Sequence, residues 1–184
     1  GNEAELRFDN VRVEPHQLVG RLNEGFSIAM IGVNLGRLYN SARSVGTGRW
    51  AIEKALEYSK IREAFGGPIA EYQGVTFPLA ESAMQIHAAH LMCLNAAQLL
   101  DSGLPARKEV SMMKAFATQA GALALDRAIQ VHGAIGMTNE LGLTEGINEG
   151  IIEVHAHGIV TSTTMVANFW AFDHAVSLSR KYPS

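Results

Sequence analysis

The stretch IREAFGGPIAEYQ, residues 61–73, separates two long segments in which apolar residues recur with helical spacing. It combines an arginine, an aromatic residue, two adjacent glycines and a proline, and glycine and proline are the residues that most often end a helix. A short connection between two long helices places them side by side and antiparallel. This stretch therefore predicts a helical bundle with an unusual loop at one end.

Helical spacing extends outward from this loop in both directions. The first predicted helix runs from Glu24 to about Arg62, and short linkers such as DSGLPAR carry the stop signals that separate the later ones. The later helices are predicted at about 74–100, 108–132, 143–157 and 161–181. We therefore predict an all-α fold, an antiparallel four-helix-type bundle, preceded by one short β-strand.

That strand is predicted from AELRFDNVRV near the N-terminus, where apolar and polar residues alternate around a turn at Asp9 and Asn10. No other segment has a clear strand pattern, so the backbone groups of this one have no partner. We therefore infer that residues 1–20 are a remnant strand and linker from a sheet that the chain does not contain. Residues 21–184 are assigned to the helical bundle.

Composition excludes several classes of function. The chain has 184 residues, 47% hydrophobic, which is enough for one sizeable core. A net charge of −3 and scattered basic residues give no positive field for nucleic acid or for an anionic membrane. No apolar run reaches the roughly 18 residues that a membrane helix needs. The single cysteine, Cys93, excludes an intrachain disulfide, so we predict a soluble protein of a reducing compartment such as the cytoplasm.

Two glycine-containing loops are candidates for ligand binding on their chemistry alone. The stretch 61–73 offers an arginine, a flat ring and backbone amides before a helix N-terminus, which together suit a phosphate and a ring system. The second loop, QVHGAIG at 130–136, follows the third predicted helix. The alternatives are an ordinary helix connection for the first loop and a helix cap for the second, with Gly133 in the left-handed conformation. Neither loop is a GxGxxG after a strand, which excludes a Rossmann site.

Four segments taken together resemble the C-terminal helical domain of the acyl-CoA dehydrogenases, flavoproteins that oxidise the α–β bond of acyl-CoA thioesters. The segments are FDNVRV with LVGRLNEGFSIAM, LGRLYNSARSVGTG, REAFGGPIAEYQ and QVHGAIG. The resemblance implies an FAD-dependent oxidoreductase of fatty acid metabolism that acts on an acyl-CoA and assembles as a homo-oligomer, a dimer or tetramer. It also implies that residues 1–20 are the remnant of a missing middle β-domain and that residues 21–184 are the C-terminal helical bundle domain. The chain alone is then expected to be inactive and to bind FAD weakly or not at all.

The resemblance also implies roles for individual residues. In this family the first loop contacts the FAD of a neighbouring subunit and the second reaches its pyrophosphate and adenosine, which points to Arg62, Phe65, Gln73, Gln130, Gly133 and Ala134. The family usually has glycine where Ala134 stands, and the added methyl group could displace the ligand. Phe26 would lie along the pantetheine or serve only as a core anchor. Arg37 would lie near the acyl pocket or be simply solvated or ion-paired.

A catalytic base is the group that the resemblance leaves open. Most family members place a glutamate before a glycine ahead of the last helix, and the matching step here is His157-Gly158. A minority place it before the arginine that matches Arg37, where this chain has Gly36. His157 could be the base, Glu153 one turn away could replace it, or the site performs no α,β-dehydrogenation, which we favour slightly. The alternative function is therefore a non-catalytic assembly module or silent partner subunit.

A metal site is not predicted. His155 and His157 are two residues apart, and residues at that spacing on a helix point in different directions, so they cannot share an ion.

Overall fold

The computed structural model of the chain describes residues 5–146, with side chains described as far as residue 144. Three long helices dominate it: α1 (Gly25–Ile61), α2 (Gln73–Asp101) and α3 (Arg107–His132). A short helix, α4 (Leu143–Gly146), begins at the predicted start of the fourth helix. The predicted all-α fold and its first three helices are therefore confirmed. The remainder of the fourth predicted helix and the whole of the fifth lie outside the described residues.

Glycines at positive φ end the second and third helices. After α2, Gly103 has φ +71, and its N–H donates to the carbonyl of Leu100 at 3.0 Å. After α3, Gly133 has φ +61, and its N–H bonds back to the carbonyls of Gln130 and Ile129. Glycine adopts such dihedral angles without steric cost, which is why it commonly follows the last helical turn. The predicted capping role of Gly133 is confirmed in this respect.

Small residues bring α1 and α3 close together. A Cβ built at Gly121 of α3 would lie 2.8 Å from the backbone oxygen of Ser44 on α1. A Cβ at Gly48 would meet the side chain of Ile86 on α2 and, at 3.4 Å, the Cα of Gly121. The three helices therefore meet where two glycines face each other, and at Gly121 the backbone of Ser44 leaves no room for a side chain.

The core has two apolar clusters, both built from all three long helices. The first contains Val45, Ile86, Met113 and their neighbours. The second lies further along α1 and joins Ala55, Leu79 and Leu125 to Leu143, the first residue of α4. Alanine supplies much of both clusters, which allows the helices to pack at short separations. The second cluster fixes the start of α4 against the bundle.

The chain divides into two compact units, residues 1–33 and 34–184. In the first unit, a 3₁₀-helix spans Pro15–Gln17, and residues 5–14 form no β-strand. The short strand predicted there is therefore wrong for the described chain. The physical reason is that a strand without a neighbouring strand cannot form the ladder of hydrogen bonds that stabilises a sheet. Leu6, Phe8 and their apolar neighbours are instead largely exposed.

Within residues 5–146, both strands lie in the stretch 61–73. They are β1 (Glu63–Ala64) and β2 (Gly67–Pro68), and a second 3₁₀-helix, Ile69–Glu71, follows them. The sequence analysis found no strand in this stretch. Among residues 5–146, no helix is both long and apolar enough to cross a membrane.

Candidate functional site

The loop between α1 and α2 is a miniature β-hairpin, which we call the 62–72 hairpin. Its strands pair antiparallel, with Glu63 opposite Pro68 and Ala64 opposite Gly67. The two turn residues both have positive φ, +53 at Phe65 and +95 at Gly66. Two-residue hairpin turns of the mirror-image type require this geometry at both positions. The hairpin therefore reverses the direction of the chain through a turn of only two residues.

Phe65 occupies an unfavourable position in two respects. Its side chain is 96% exposed, although burial of a phenylalanine side chain is worth about 1.5–3 kcal/mol. Its backbone is left-handed, which costs a residue other than glycine about 1–3 kcal/mol. Strained backbone combined with an exposed aromatic ring is typical of a residue held ready for a ligand or a partner.

Tyr72 is the residue that fixes this geometry. Its hydroxyl group donates to the carbonyl oxygens of Ala64 at 3.1 Å and Phe65 at 3.3 Å. Its ring also meets the Phe65 ring edge-to-face, with centroids 6.2 Å apart. The sequence analysis missed Tyr72, because a tyrosine before a helix gives no signal until the hairpin is seen.

Arg62 begins the 62–72 hairpin and Gln73 directly follows it, and both are exposed. The backbone N–H of Arg62 bonds to the carbonyl of Tyr58 at 2.9 Å, and its own carbonyl accepts from Ile69 at 2.8 Å. Gln73 is the first residue of α2. The backbone at both ends of the hairpin is therefore fixed, while the arginine and glutamine side chains remain on the surface.

The 130–136 loop forms a 3₁₀-turn, Gly133–Met137, directly after α3. Gln130, Gly133 and Ala134 are all exposed. A Cβ at Gly136 would lie 2.6 Å from the carbonyl oxygen of Ile129, so this turn folds tightly back onto the helix. The methyl group of Ala134, where the resemblance expects glycine, lies on the surface of the loop.

The structure brings both loops to the same end of the bundle. The C-terminus of α1 carries the 62–72 hairpin and the C-terminus of α3 carries the 130–136 loop. Tyr58 of α1 and His132 of α3 join these ends by stacking their rings, with centroids 4.5 Å apart and planes at 28°. His132 is buried, and its Nδ1 lies 2.7 Å from the carbonyl oxygen of Ala128, which makes Nδ1–H the donor. Burial and the ring stack give His132 a packing role between α1 and α3.

The candidate substrate residues are Phe26 and Arg37. Phe26 is 80% exposed. Arg37 is half-buried and donates through Nη1 to Asn34 Oδ1 at 3.3 Å. Burial lowers the pKa of the Arg37 guanidinium below its ordinary value. The structure thus shows Arg37 partly withdrawn from solvent.

The two candidate bases, Glu153 and His157, lie outside the described residues. At the alternative position, Gly36 is on α1, and a Cβ built there would meet nothing within 4 Å. Within the part of the chain that the structure describes, no group of three or more histidine, cysteine, aspartate or glutamate side chains could hold a metal ion.

Two family descriptions match different parts of the chain. Residues 23–151 match "Acyl-CoA dehydrogenase, C-terminal domain". Residues 140–184 match "YdjC-like protein", and the two matches overlap over residues 140–151. The first match contains both loops described above. Glu153 and His157 lie beyond it, inside the second match alone.

Individual proteins also match most of the chain. An acyl-CoA dehydrogenase of Bacillus subtilis is 42% identical over 135 residues, which cover 73% of this chain and 36% of that protein. The solved structure of butyryl-CoA dehydrogenase from Megasphaera elsdenii matches with a TM-score of 0.82 at 26% identity, over 89% of this chain and 43% of the other. A structure described as PigA with FAD and proline has the same fold, with a TM-score of 0.83 at 23% identity. The chain thus spans well under half the length of these proteins.

Proposed function

This chain belongs to the acyl-CoA dehydrogenase family, and we propose that it forms the flavin-binding helical part of an FAD-dependent oxidoreductase that acts on the α,β bond of an acyl-CoA thioester. The observation that carries the proposal is the pair of exposed loops at one end of the bundle, joined by the stacked rings of Tyr58 and His132. In the family these two loops contact opposite parts of one FAD.

The chemistry of the two loops suits a flavin dinucleotide. Arg62 offers a planar, permanently charged group that matches a phosphate, and Phe65 offers a flat apolar face. Gln73 and Gln130 add neutral hydrogen-bonding groups, and Gly133 leaves the backbone open on its exposed side. All of these residues act as binding and orienting groups, whereas FAD itself would accept the hydride when bound.

The first experiment tests whether the residues of the 62–72 hairpin and Gln73 support flavin binding. Residues 62–73 would be grafted in place of the aligned segment of the Bacillus subtilis relative, and its flavin content measured by absorbance. We expect the graft to retain flavin, and Arg62→Gln in the graft to weaken FAD binding about tenfold or more, as loss of a charged hydrogen bond does. Glu63→Gln, at the exposed residue next to Arg62 inside the graft, is the matched control. A graft that keeps all its flavin without Arg62 and Phe65 would contradict the proposal.

The chain alone is expected to bind FAD weakly or not at all, because it spans only about a third of its relatives. Titration of FAD into the purified chain, followed by flavin fluorescence, measures this directly. A yellow preparation with one flavin per chain would be the opposite result.

We also propose that copies of the chain associate through α2. Large apolar side chains form what we call the α2 outer stripe: Phe77, Met84, Leu91 and Leu94, each more than half exposed. The first three are seven residues apart, which places them on one face of a helix. A continuous apolar face of this kind is typical of a helix interface, and closed two-fold assemblies are the commonest. Light scattering at micromolar concentration should show a dimer or tetramer, and Met84→Glu should shift it toward the 19.8 kDa monomer.

Catalysis requires a base beside the flavin, and His157 and Glu153 are the proposed candidates. An imidazole titrates near neutral pH and can take the α proton, while a carboxylate there matches the family's usual chemistry. The family match ends at residue 151, so the placement of His157 rests on the resemblance of the sequence alone. We propose little or no acyl-CoA dehydrogenation with histidine at this position.

The base is tested by flavin bleaching in the complete protein that contains this chain, with a panel of acyl-CoAs. His157→Glu should introduce or raise activity, since a well-placed base contributes about 10²- to 10⁴-fold. Gly36→Glu is a second way to supply a base, because position 36 has space for a side chain. Wild-type turnover that is lost in Glu153→Gln would move the base to Glu153, and turnover lost only in His157→Ala would assign it to the histidine.

One observation favours the alternative, a non-catalytic helical module. Residues 140–184 match a different family, and this is the region where the acyl-CoA dehydrogenases are expected to carry their base. A module of this kind would keep the bundle and its interface but bleach no flavin with any acyl-CoA, and neither His157→Glu nor Gly36→Glu would restore turnover.

A further inference from the structure

Arg127 of α3 makes three polar contacts with one short segment of α2. Its Nη1 donates to the backbone carbonyl of Pro78 and to the hydroxyl of Ser82, both at 2.9 Å, and its Nη2 pairs with the carboxylate of Glu81. The arginine side chain is 19% exposed, and Ser82 is buried. Hydrogen bonds that involve a charged group are the stronger kind. This set of contacts, which we call the Arg127 clamp, fixes the segment to α3.

The clamp acts where α2 contains a proline. Pro78 has no backbone N–H, so the carbonyl one turn earlier loses its helical hydrogen bond, and the proline ring crowds that carbonyl. The turn before the proline, residues 73–77, is bonded to the 62–72 hairpin, because the N–H groups of Val75 and Thr76 donate to the carbonyl of Tyr72 at 2.9 and 3.1 Å. Pro78 therefore separates a first turn that is joined to the hairpin from the longer part of α2.

The other side of the clamp lies next to the second loop. Arg127 is three residues before Gln130, and α3 ends at His132, inside the 130–136 loop. The clamp thus joins the helix segment that follows the hairpin to the helix segment that precedes the 130–136 loop. The stacked rings of Tyr58 and His132 connect α3 to the segment where the chain enters the hairpin. The Arg127 clamp connects α3 to the segment where the chain leaves it.

We propose that Arg127 is a positioning residue that sets the spacing between the 62–72 hairpin and the 130–136 loop. The proposal rests on the proposed function, in which both loops contact one FAD. A ligand that contacts two loops binds the molecules in which both have the correct spacing, so its apparent affinity falls in proportion to the fraction of such molecules. In this role Arg127 acts through the first turn of α2 and does not contact the flavin.

The first measurement is the spacing itself, in the full chain without flavin. Spin labels on Glu63→Cys and Met137→Cys, both at exposed positions, report the distance between the two loops by pulsed electron spin resonance, in a Cys93→Ala background. We expect one narrow distance distribution in this chain. Arg127→Gln should leave about a tenth of the molecules at that distance, as expected for loss of charged hydrogen bonds. Arg49→Gln makes the same change of charge at an exposed position of α1 and should leave the distribution unchanged.

A proline variant separates positioning from general stabilisation of the bundle. Pro78→Ala restores the missing N–H and with it the hydrogen bond between the first turn of α2 and the rest of the helix. Combined with Arg127→Gln, it should return most molecules to the original distance, which it would not do if the arginine only stabilised the bundle. Arg127→Lys keeps the charge but not the planar fork and should give an intermediate fraction. If Arg127→Gln does not fold by circular dichroism, Ser82→Ala and Glu81→Gln, which each change one contact, take its place.

The second measurement is the FAD affinity of the complete protein that contains this chain. Arg127→Gln should raise the apparent Kd about tenfold, by the factor that the distance distribution gives, and Pro78→Ala should reverse the change. An unchanged distance distribution in Arg127→Gln, or no rescue by Pro78→Ala, would overturn the proposal. Altered spacing with unchanged FAD affinity would also overturn it, provided that Arg62→Gln weakens binding. If Arg62→Gln has no effect either, the proposed function fails, and the distances alone decide whether Arg127 sets the spacing.

Discussion

The close contact between α1 and α3 predicts that Gly121→Ala destabilises the chain. The added methyl carbon would lie 2.8 Å from the backbone oxygen of Ser44, 3.1 Å from its Cβ and 3.3 Å from its carbonyl carbon. Backbone cannot rotate away as a side chain can, so the helices must separate. Overpacking of this kind costs about 1–3 kcal/mol, and alanine recovers about 1 kcal/mol of helix propensity relative to glycine. We expect a net loss of up to about 2 kcal/mol.

Gly46→Ala is the matched control, because it makes the same chemical change in a neighbouring helix. Gly46 is exposed on α1, and a Cβ there would meet nothing within 4 Å. Only the propensity term applies, so this variant should gain about 1 kcal/mol. Urea denaturation followed by circular dichroism measures both variants as shifts in the midpoint at constant slope. A Gly121→Ala variant as stable as Gly46→Ala would refute the close approach of the two helices.

Three further predictions concern single side chains. Tyr72→Phe should speed hydrogen exchange of the Ile69 amide, which closes the 62–72 hairpin, because loss of the hydroxyl removes stabilisation of about 1 kcal/mol; unchanged exchange would exclude a role for this hydroxyl. Lys114→Met in chloride buffer should raise the free energy of unfolding at pH 7 by about 3 kcal/mol, since the pKa falls from 10.5 to about 8 and each unit corresponds to about 1.4 kcal/mol. The folded pKa is the lower one, so this advantage should shrink as pH rises from about 8 to 10.5, and a constant difference would contradict it. Burial raises the pKa of the Cys93 thiol, so a thiol reagent at pH 8 should label Cys93 only after denaturation, and rapid labelling of the native chain would be inconsistent with its position.

The helices were predictable because their signals are local. Apolar spacing defines α1, α2 and α3, and glycines at positions 103 and 133 mark two of their ends. Residues three and four positions apart in sequence lie next to each other on a helix. The spacing of apolar residues over a short segment is therefore enough to predict a helix.

The strands were not predictable for the opposite reason. The alternating N-terminal segment has the composition of a strand but lacks a partner. The real strands of the 62–72 hairpin are two residues long and depend on positive φ at Phe65, a residue that does not favour it. That conformation is held by the hydroxyl of Tyr72, seven residues away, which no local pattern encodes.

The candidate site, like the fold, could be predicted from the sequence only in part. Motifs located Arg62, Phe65 and the 130–136 loop, but not the contact that brings the two loops to one end of the bundle. That contact joins Tyr58 to His132, which are far apart in sequence and become neighbours only when α1 and α3 pack. The roles of the loop residues toward FAD remain predictions.

The fixed hairpin turn also has a kinetic consequence. Because Tyr72 holds the turn at both carbonyls, the Phe65 ring is in place before any ligand arrives. A ligand that binds this surface would not have to order the loop. Binding would therefore avoid the entropy loss of that step and would be tighter. Arrival would then be limited by diffusion and orientation, and ligands would differ mainly in how long they stay.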